Sequence, residues 1–117
     1  MRAMPHIVNV MTPFPHSIEA GASLAEARAM MEGAEIRHLP VVEEGKLVGV
    51  LSDRELKLTL AFSDPGMDRT VRVSEIANLD AYTVDSTERL DTVVSVMAEQ
   101  RLGAALVTKN GKLVGIF

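Results

Sequence analysis

Gly45-Lys46-Leu47-Val48-Gly49 returns as Gly111-Lys112-Leu113-Val114-Gly115, an offset of 66 residues (111 − 45) in a chain of 117. Five matching residues can arise by chance, so the flanks decide whether they mark an internal repeat. At the same offset Leu24 meets Leu90, Met31 meets Met97 and Val41 meets Val107. Ser17, Ile18, Glu19 and Ile36 meet the similar Thr83, Val84, Asp85 and Leu102. One register holding along the flanks makes the chain a duplication.

Both copies change hydrophobic period in the same order. Short extended pieces come first, His16 to Ala20 and Tyr82 to Ser86. Apolar residues then fall at Leu24, Ala27, Met31 and Ala34, and again at Leu90, Val93, Val94 and Met97, the spacing of a helix with one buried face. Ser23-Leu24-Ala25-Glu26 fits a capping box at the first helix start, with the Ser oxygen and the Glu carboxylate each satisfying a free backbone N–H. Two strand-length runs follow, Arg37 to Val42 and Lys46 to Leu51 around Glu43-Glu44-Gly45, and Ala104 to Thr108 and Lys112 to Phe117 around Asn110-Gly111. Asn-Gly is a strong hairpin signal because both residues tolerate positive φ.

The unit therefore reads β-α-β-β, and the first copy adds a second helix from about Ser52 to Phe62. Ser63-Asp64-Pro65-Gly66 breaks that helix and opens a linker to about Arg72. Leu51 maps onto Phe117, so the second copy is expected to lack its last helix and to leave apolar strand surface uncovered. The expected division is 1–66 for the first copy with the N-terminal segment and the start of the linker, and 67–117 for the second.

Composition narrows the function. The chain is 47% hydrophobic, enough for an ordinary core, and has no cysteine, which removes disulfides, thiolate metal sites and cysteine nucleophiles and points to a reducing, cytoplasmic setting. Met1 to Met11 is interrupted by Pro5, His6 and Asn9 and lacks the apolar core of a signal peptide. No run approaches the roughly 18 apolar residues of a membrane span. A net charge of −4 and an aromatic content of 3% argue against phosphate-backbone and base-stacking modes of nucleic-acid binding. His6, His16 and His38 lack metal-ligand spacing, and no Ser or Thr has a base and an orienting acid in evident reach, so neither a metal site nor catalysis is expected. Met30, Met31 and Met97 read as core fillers.

Val10-Met11-Thr12-Pro13, Ser23 to Ala27, Ile36-Arg37-His38-Leu39-Pro40-Val41-Val42 and Gly45 to Glu55 together closely resemble the CBS motif, named after cystathionine β-synthase. The second copy is more divergent: Ala77-Asn78 stand where Met11-Thr12 stood, and Gly103-Ala104 replace Arg37-His38. The resemblance implies an α/β fold of tandem β-α-β-β-α units packed about a pseudo-two-fold axis with clefts between them. It also implies a regulatory module that binds AMP, ADP, ATP or S-adenosylmethionine, requires no cofactor, and forms a homodimer or acts on a partner protein.

In the family a G-h-x-[ST]-x-x-[DN] signature sets a hydroxyl near phosphate or ribose and an acid on the ribose hydroxyls. Here it reads Gly49-Val50-Leu51-Ser52-Asp53-Arg54-Glu55, with Glu in the acidic place. The residues so implied for the nucleotide are Thr12, Pro13, Arg37, His38, Pro40, Ser52, Asp53, Arg54 and Glu55. A strand end turning into a helix is a natural phosphate seat. The same four residues, Ser52 to Glu55, also spell a plain capping box, and a structural module that self-associates through exposed helix faces is the alternative.

Overall fold

The structure is a computed structural model and describes residues 3–117. It divides into two units: His16–Asp80, and the N-terminal segment up to Pro15 together with Ala81–Phe117.

In the first of these, strand β2 (Ile18–Glu19) runs parallel to β3 (His38–Glu43), and β3 pairs antiparallel with β4 (Lys46–Ser52). Helix α1 (Leu24–Ala34) crosses between β2 and β3. Ser23 caps it by accepting the Glu26 N–H at 3.2 Å. The reciprocal bond from the Ser23 N–H to the Glu26 carboxylate is not among the hydrogen bonds of the described residues. The chain at Ser23 is instead held from the other side, in an antiparallel bridge to Arg72 with Leu24 N–H on the Val71 carbonyl. The helix ends on Glu35 in the left-handed region, φ 55°. Helix α2 (Asp53–Ala61) follows β4 directly, and Leu24, Ala27, Met31, Leu39, Val41, Leu51, Leu56 and Val73 form the core beneath the helices.

The stretch after α2, expected as a linker, is ordered into this unit. A 3₁₀ turn (Met67–Arg69) leads to the short helix α3 (Val73–Ile76), whose Val73 is fully buried. Asn78 then bridges Val50, with each N–H on the other's carbonyl. A Cβ at Gly49 would come within 2.5 Å of the Asn78 carbonyl oxygen, so this crossing needs glycine.

The second unit repeats the plan. Strands β5 (Thr83–Asp85), β6 (Leu106–Lys109) and β7 (Lys112–Ile116) pair as their counterparts do, and α4 (Leu90–Gln100) crosses between β5 and β6. Its fourth strand is β1 (Thr12–Pro13), antiparallel to β7 with Thr12 opposite Ile116. Thr12 and Asn78 are 66 residues apart, as are Val50 and Ile116, so the two pairings are the same contact made twice. The segment ahead of each copy completes the other copy's sheet. Grouping by sequence, at 66/67, and grouping by packing thus differ by an exchange of these segments, and Ile7 is fully buried in the core of Val84, Val93, Ala105 and Val107.

The hairpins agree in detail. Glu44 and Gly45 have φ of 51° and 77°, Asn110 and Gly111 of 53° and 78°, the two positive values of a type I′ turn. Register shifts at Val41/Val42 and at Val107/Thr108 place the same bulge in both. The helices agree less. Val94, expected on the buried face of α4, is 46% exposed. Among the described residues of this unit, α4 is the one helix of more than one turn packed on the sheet.

Candidate ligand site

Five of the sequence-derived site residues meet where β3, β4 and α2 join. Arg37 lies just before β3, and its carbonyl accepts the Asp53 N–H at 2.7 Å, tying the strand entrance to the helix entrance. His38 and Ser52 stand opposite each other in the ladder. Ser52 caps α2, its hydroxyl accepting the Glu55 N–H at 3.1 Å. Arg37, His38, Ser52, Asp53 and Arg54 line a pocket of about 390 Å³, to which Lys57 adds a third permanent cation.

Glu55 departs from the capping-box reading. Its backbone is capped by Ser52, but its Oε2 is buried and has no hydrogen-bond partner. The carboxylate therefore does not close the box, although that was a sufficient explanation for its presence in the sequence. A buried acceptor without a donor costs roughly 1–3 kcal/mol. Such an atom calls for a donor that the chain does not supply.

His38 is half-buried, and burial pushes its pKa below the ordinary value, with the Arg37 guanidinium acting in the same direction. Glu55 foremost and Asp53 after it oppose that shift, which places the Glu55 charge close to the imidazole. Asp53 is held by Lys57, Oδ2 to Nζ 3.0 Å, across one turn of α2. With the Lys57 side chain 76% exposed, the pair is worth about 0.3–0.5 kcal/mol.

A second cavity, about 510 Å³, runs between α1 and α2 and shares Arg37, Asp53 and Lys57 with the first. Met31, Ile36, Leu56 and Leu60 give it an apolar lining.

The remaining sequence-derived residues lie elsewhere. Pro40 is fully buried in β3 opposite Val50 and lines neither cavity. Thr12 and Pro13 are in β1, in the other unit. Lys57 was missed by sequence reasoning; the signal available was its place four residues after Asp53 on a helix whose start Ser52 already marked. In the second copy Gly103 and Ala104 occupy the places of Arg37 and His38, so no cation faces the corresponding strand entrance from those positions. Among the described residues no group of three or more His, Asp or Glu is placed to hold a metal ion, and no helix is long and apolar enough to cross a membrane.

Residues 7–61 and 73–117 each match the CBS domain family, and the chain belongs to it. The fold is that of a CBS pair, two repeats of mixed α/β structure. Among curated proteins, the chain is 26% identical to the CBS domain-containing protein YhcV of Bacillus subtilis over 97% of its own length and 79% of YhcV. Among solved structures, it is similar to the AcuB protein of Vibrio cholerae, at 28% identity and a TM-score of 0.88, covering 98% of this chain and 84% of that one. It is also similar to CBSX2 solved in complex with AMP, at 25% identity and a TM-score of 0.82, covering 96% of this chain and 88% of that one. Several curated relatives are enzymes, and the chain spans 21% of their length.

Proposed function

We propose that the chain is a regulatory module that binds an adenine nucleotide at the Arg37–Glu55 corner of the first copy. The observation that carries this reading is the pocket lined by Arg37, Arg54 and Lys57, with the buried, unpartnered Oε2 of Glu55 on the same first turns of α2. Cations suit a phosphate, and an acceptor lacking a donor suits a hydroxyl; a nucleotide offers both in one molecule. The likeness to CBSX2, whose structure contains AMP, supports the same ligand class. Binding would act by its difference in affinity between two conformations, which a partner reads. The chain itself performs no chemistry in this reading.

A thermal-shift titration against AMP, ADP, ATP and S-adenosylmethionine tests it. A ligand at 100 times its Kd adds about 2.7 kcal/mol, which moves Tm by about ten degrees in a domain of this size. Glu55→Gln is expected to leave the Tm of the free protein unchanged or higher, because Oε2 accepts no hydrogen bond that the change would remove, while the ligand-induced shift is lost. A Glu55 that serves only the fold would give the reverse, a lower free Tm.

A second reading, a self-associating module with no small ligand, has its own observation: Leu58 and Phe62, one turn apart on and just beyond α2, are 52% and 88% exposed. No shift with any of the four ligands would favour it.

A further inference from the structure

Lys57 lines both cavities of the first copy, the ligand pocket and the α1–α2 groove. We infer that Lys57 transmits occupancy of the pocket to the groove: a bound anion takes its ammonium away from Asp53, and the groove wall changes charge. The inference rests on the nucleotide reading above and adds the route by which that site is read.

The geometry and the energetics favour the exchange. Among the described residues, Lys57 Nζ is held by an exposed contact to Asp53 within its own helix, at 3.0 Å. Such pairs are weak because water screens them and two long side chains must be held still. A phosphate in the pocket offers the same ammonium a doubly charged acceptor, where charge-assisted bonds are strongest. The groove is poised to register the loss. Its wall carries three cations, Arg28, Arg37 and Lys57, against three carboxylates, Glu32, Glu35 and Asp53. Arg28 is occupied by Glu32 at 3.2 Å, so withdrawing Lys57 leaves Arg37 against Asp53 and Glu35, and the lining goes from balanced to one net negative charge. Met31 lines the groove and not the pocket, which makes its methyl group a reporter of the groove.

The experiment follows the Met31 methyl resonance in methyl-labelled protein during an AMP titration, with calorimetry giving the Kd of the same samples. In the native chain the resonance is expected to move saturably, with the calorimetric Kd. Lys57→Gln exchanges one charge-assisted bond of an exposed side chain for a neutral one, so the Kd is expected to rise about two- to fivefold. At saturating AMP its Met31 displacement is expected to fall by at least half, and Lys57→Arg is expected to restore it. AMP binding with an unmoved Met31, a full displacement in Lys57→Gln, or an unchanged Kd there would each overturn the role of Lys57 and leave the nucleotide reading standing. An absence of AMP binding to the native chain would overturn the inference, and an absence of binding by ADP, ATP and S-adenosylmethionine as well would overturn the nucleotide reading.

Discussion

The two copies build the same hairpin, with the same turn, the same bulge and the same close crossing strand, and differ in what lies over it. In the first copy α2 covers the sheet beside α1, and Leu24, Ala27 and Met31 are 0–3% exposed. In the second, α4 lacks such a neighbour among the described residues of its unit; Val93 is buried, but Leu90 and Met97, the equivalents of Leu24 and Met31, are only partly so. Equivalent sequence positions therefore hold different fractions of their side chains from water, because burial of a helix face depends on a second element as well as on its own period. The same layer carries the chemistry. Ser52 to Lys57 belong to the start of α2, so the helix that covers the sheet of the first copy also supplies part of its cation-lined pocket.

The largest effect expected from this contrast is at the helix faces themselves. Leu56 of α2 is 1% exposed and sits in the core of its unit. Leu56→Ala should cost about 2–4 kcal/mol in denaturant unfolding, a transfer loss plus a cavity. Val94→Ala, on the face of α4 that no helix covers in its unit, should cost under about 0.5 kcal/mol. Equal costs would mean that Val94 is covered in solution and would remove the contrast.

The crossing strands come next. Gly49→Ala drives a Cβ onto the Asn78 carbonyl, backbone that two mutual hydrogen bonds to Val50 hold in place, and a cost of about 1–3 kcal/mol is expected. Gly115→Ala meets the side chain of Met11 instead, which can rotate away. The roughly 0.5–1 kcal/mol by which Ala is favoured over Gly in a strand then offsets much of the strain, and the net change should stay within about 1 kcal/mol. Matching costs at the two glycines would show that Met11 is as firmly held as the Asn78 backbone.

These glycines also show how far the sequence could be read. The repeat, both hairpins and the Ser23 and Ser52 caps follow from local pattern, because each depends on residues close together in the chain or on one register, whereas the grouping of Arg37 and His38 with Ser52 to Glu55 comes from the family resemblance. The exchange of crossing segments follows from neither. Met11-Thr12 and Ala77-Asn78 stand ahead of equivalent copies, so pairing with the following copy or with the other one satisfies the same pattern, and only packing decides. Burial of the Glu55 carboxylate was hidden for a different reason. Its spacing from Ser52 is that of a capping residue, and whether the side chain closes the box or turns inward is a matter of rotamer and environment. Lys57 was invisible as a pocket residue because an i,i+4 Asp–Lys pair is ordinary helix surface.

The smallest effect tests the feature the copies share most closely. Both turns place a residue other than glycine at φ near 50°, Glu44 in one and Asn110 in the other, and both side chains are exposed. For an L-residue this region costs roughly 1–2 kcal/mol, less for Asn, whose short amide bonds locally to the backbone. Glu44→Asn should therefore stabilise by about 0.5 kcal/mol, and Asn110→Glu should destabilise by about the same amount. Because the backbone angles agree to within a few degrees, the two changes should cancel in the double variant, whose unfolding midpoint is expected to equal that of the native chain. A double variant that departs from it would show that one turn is strained by its surroundings in a way the other is not, and that the likeness of the hairpins ends at their backbone angles.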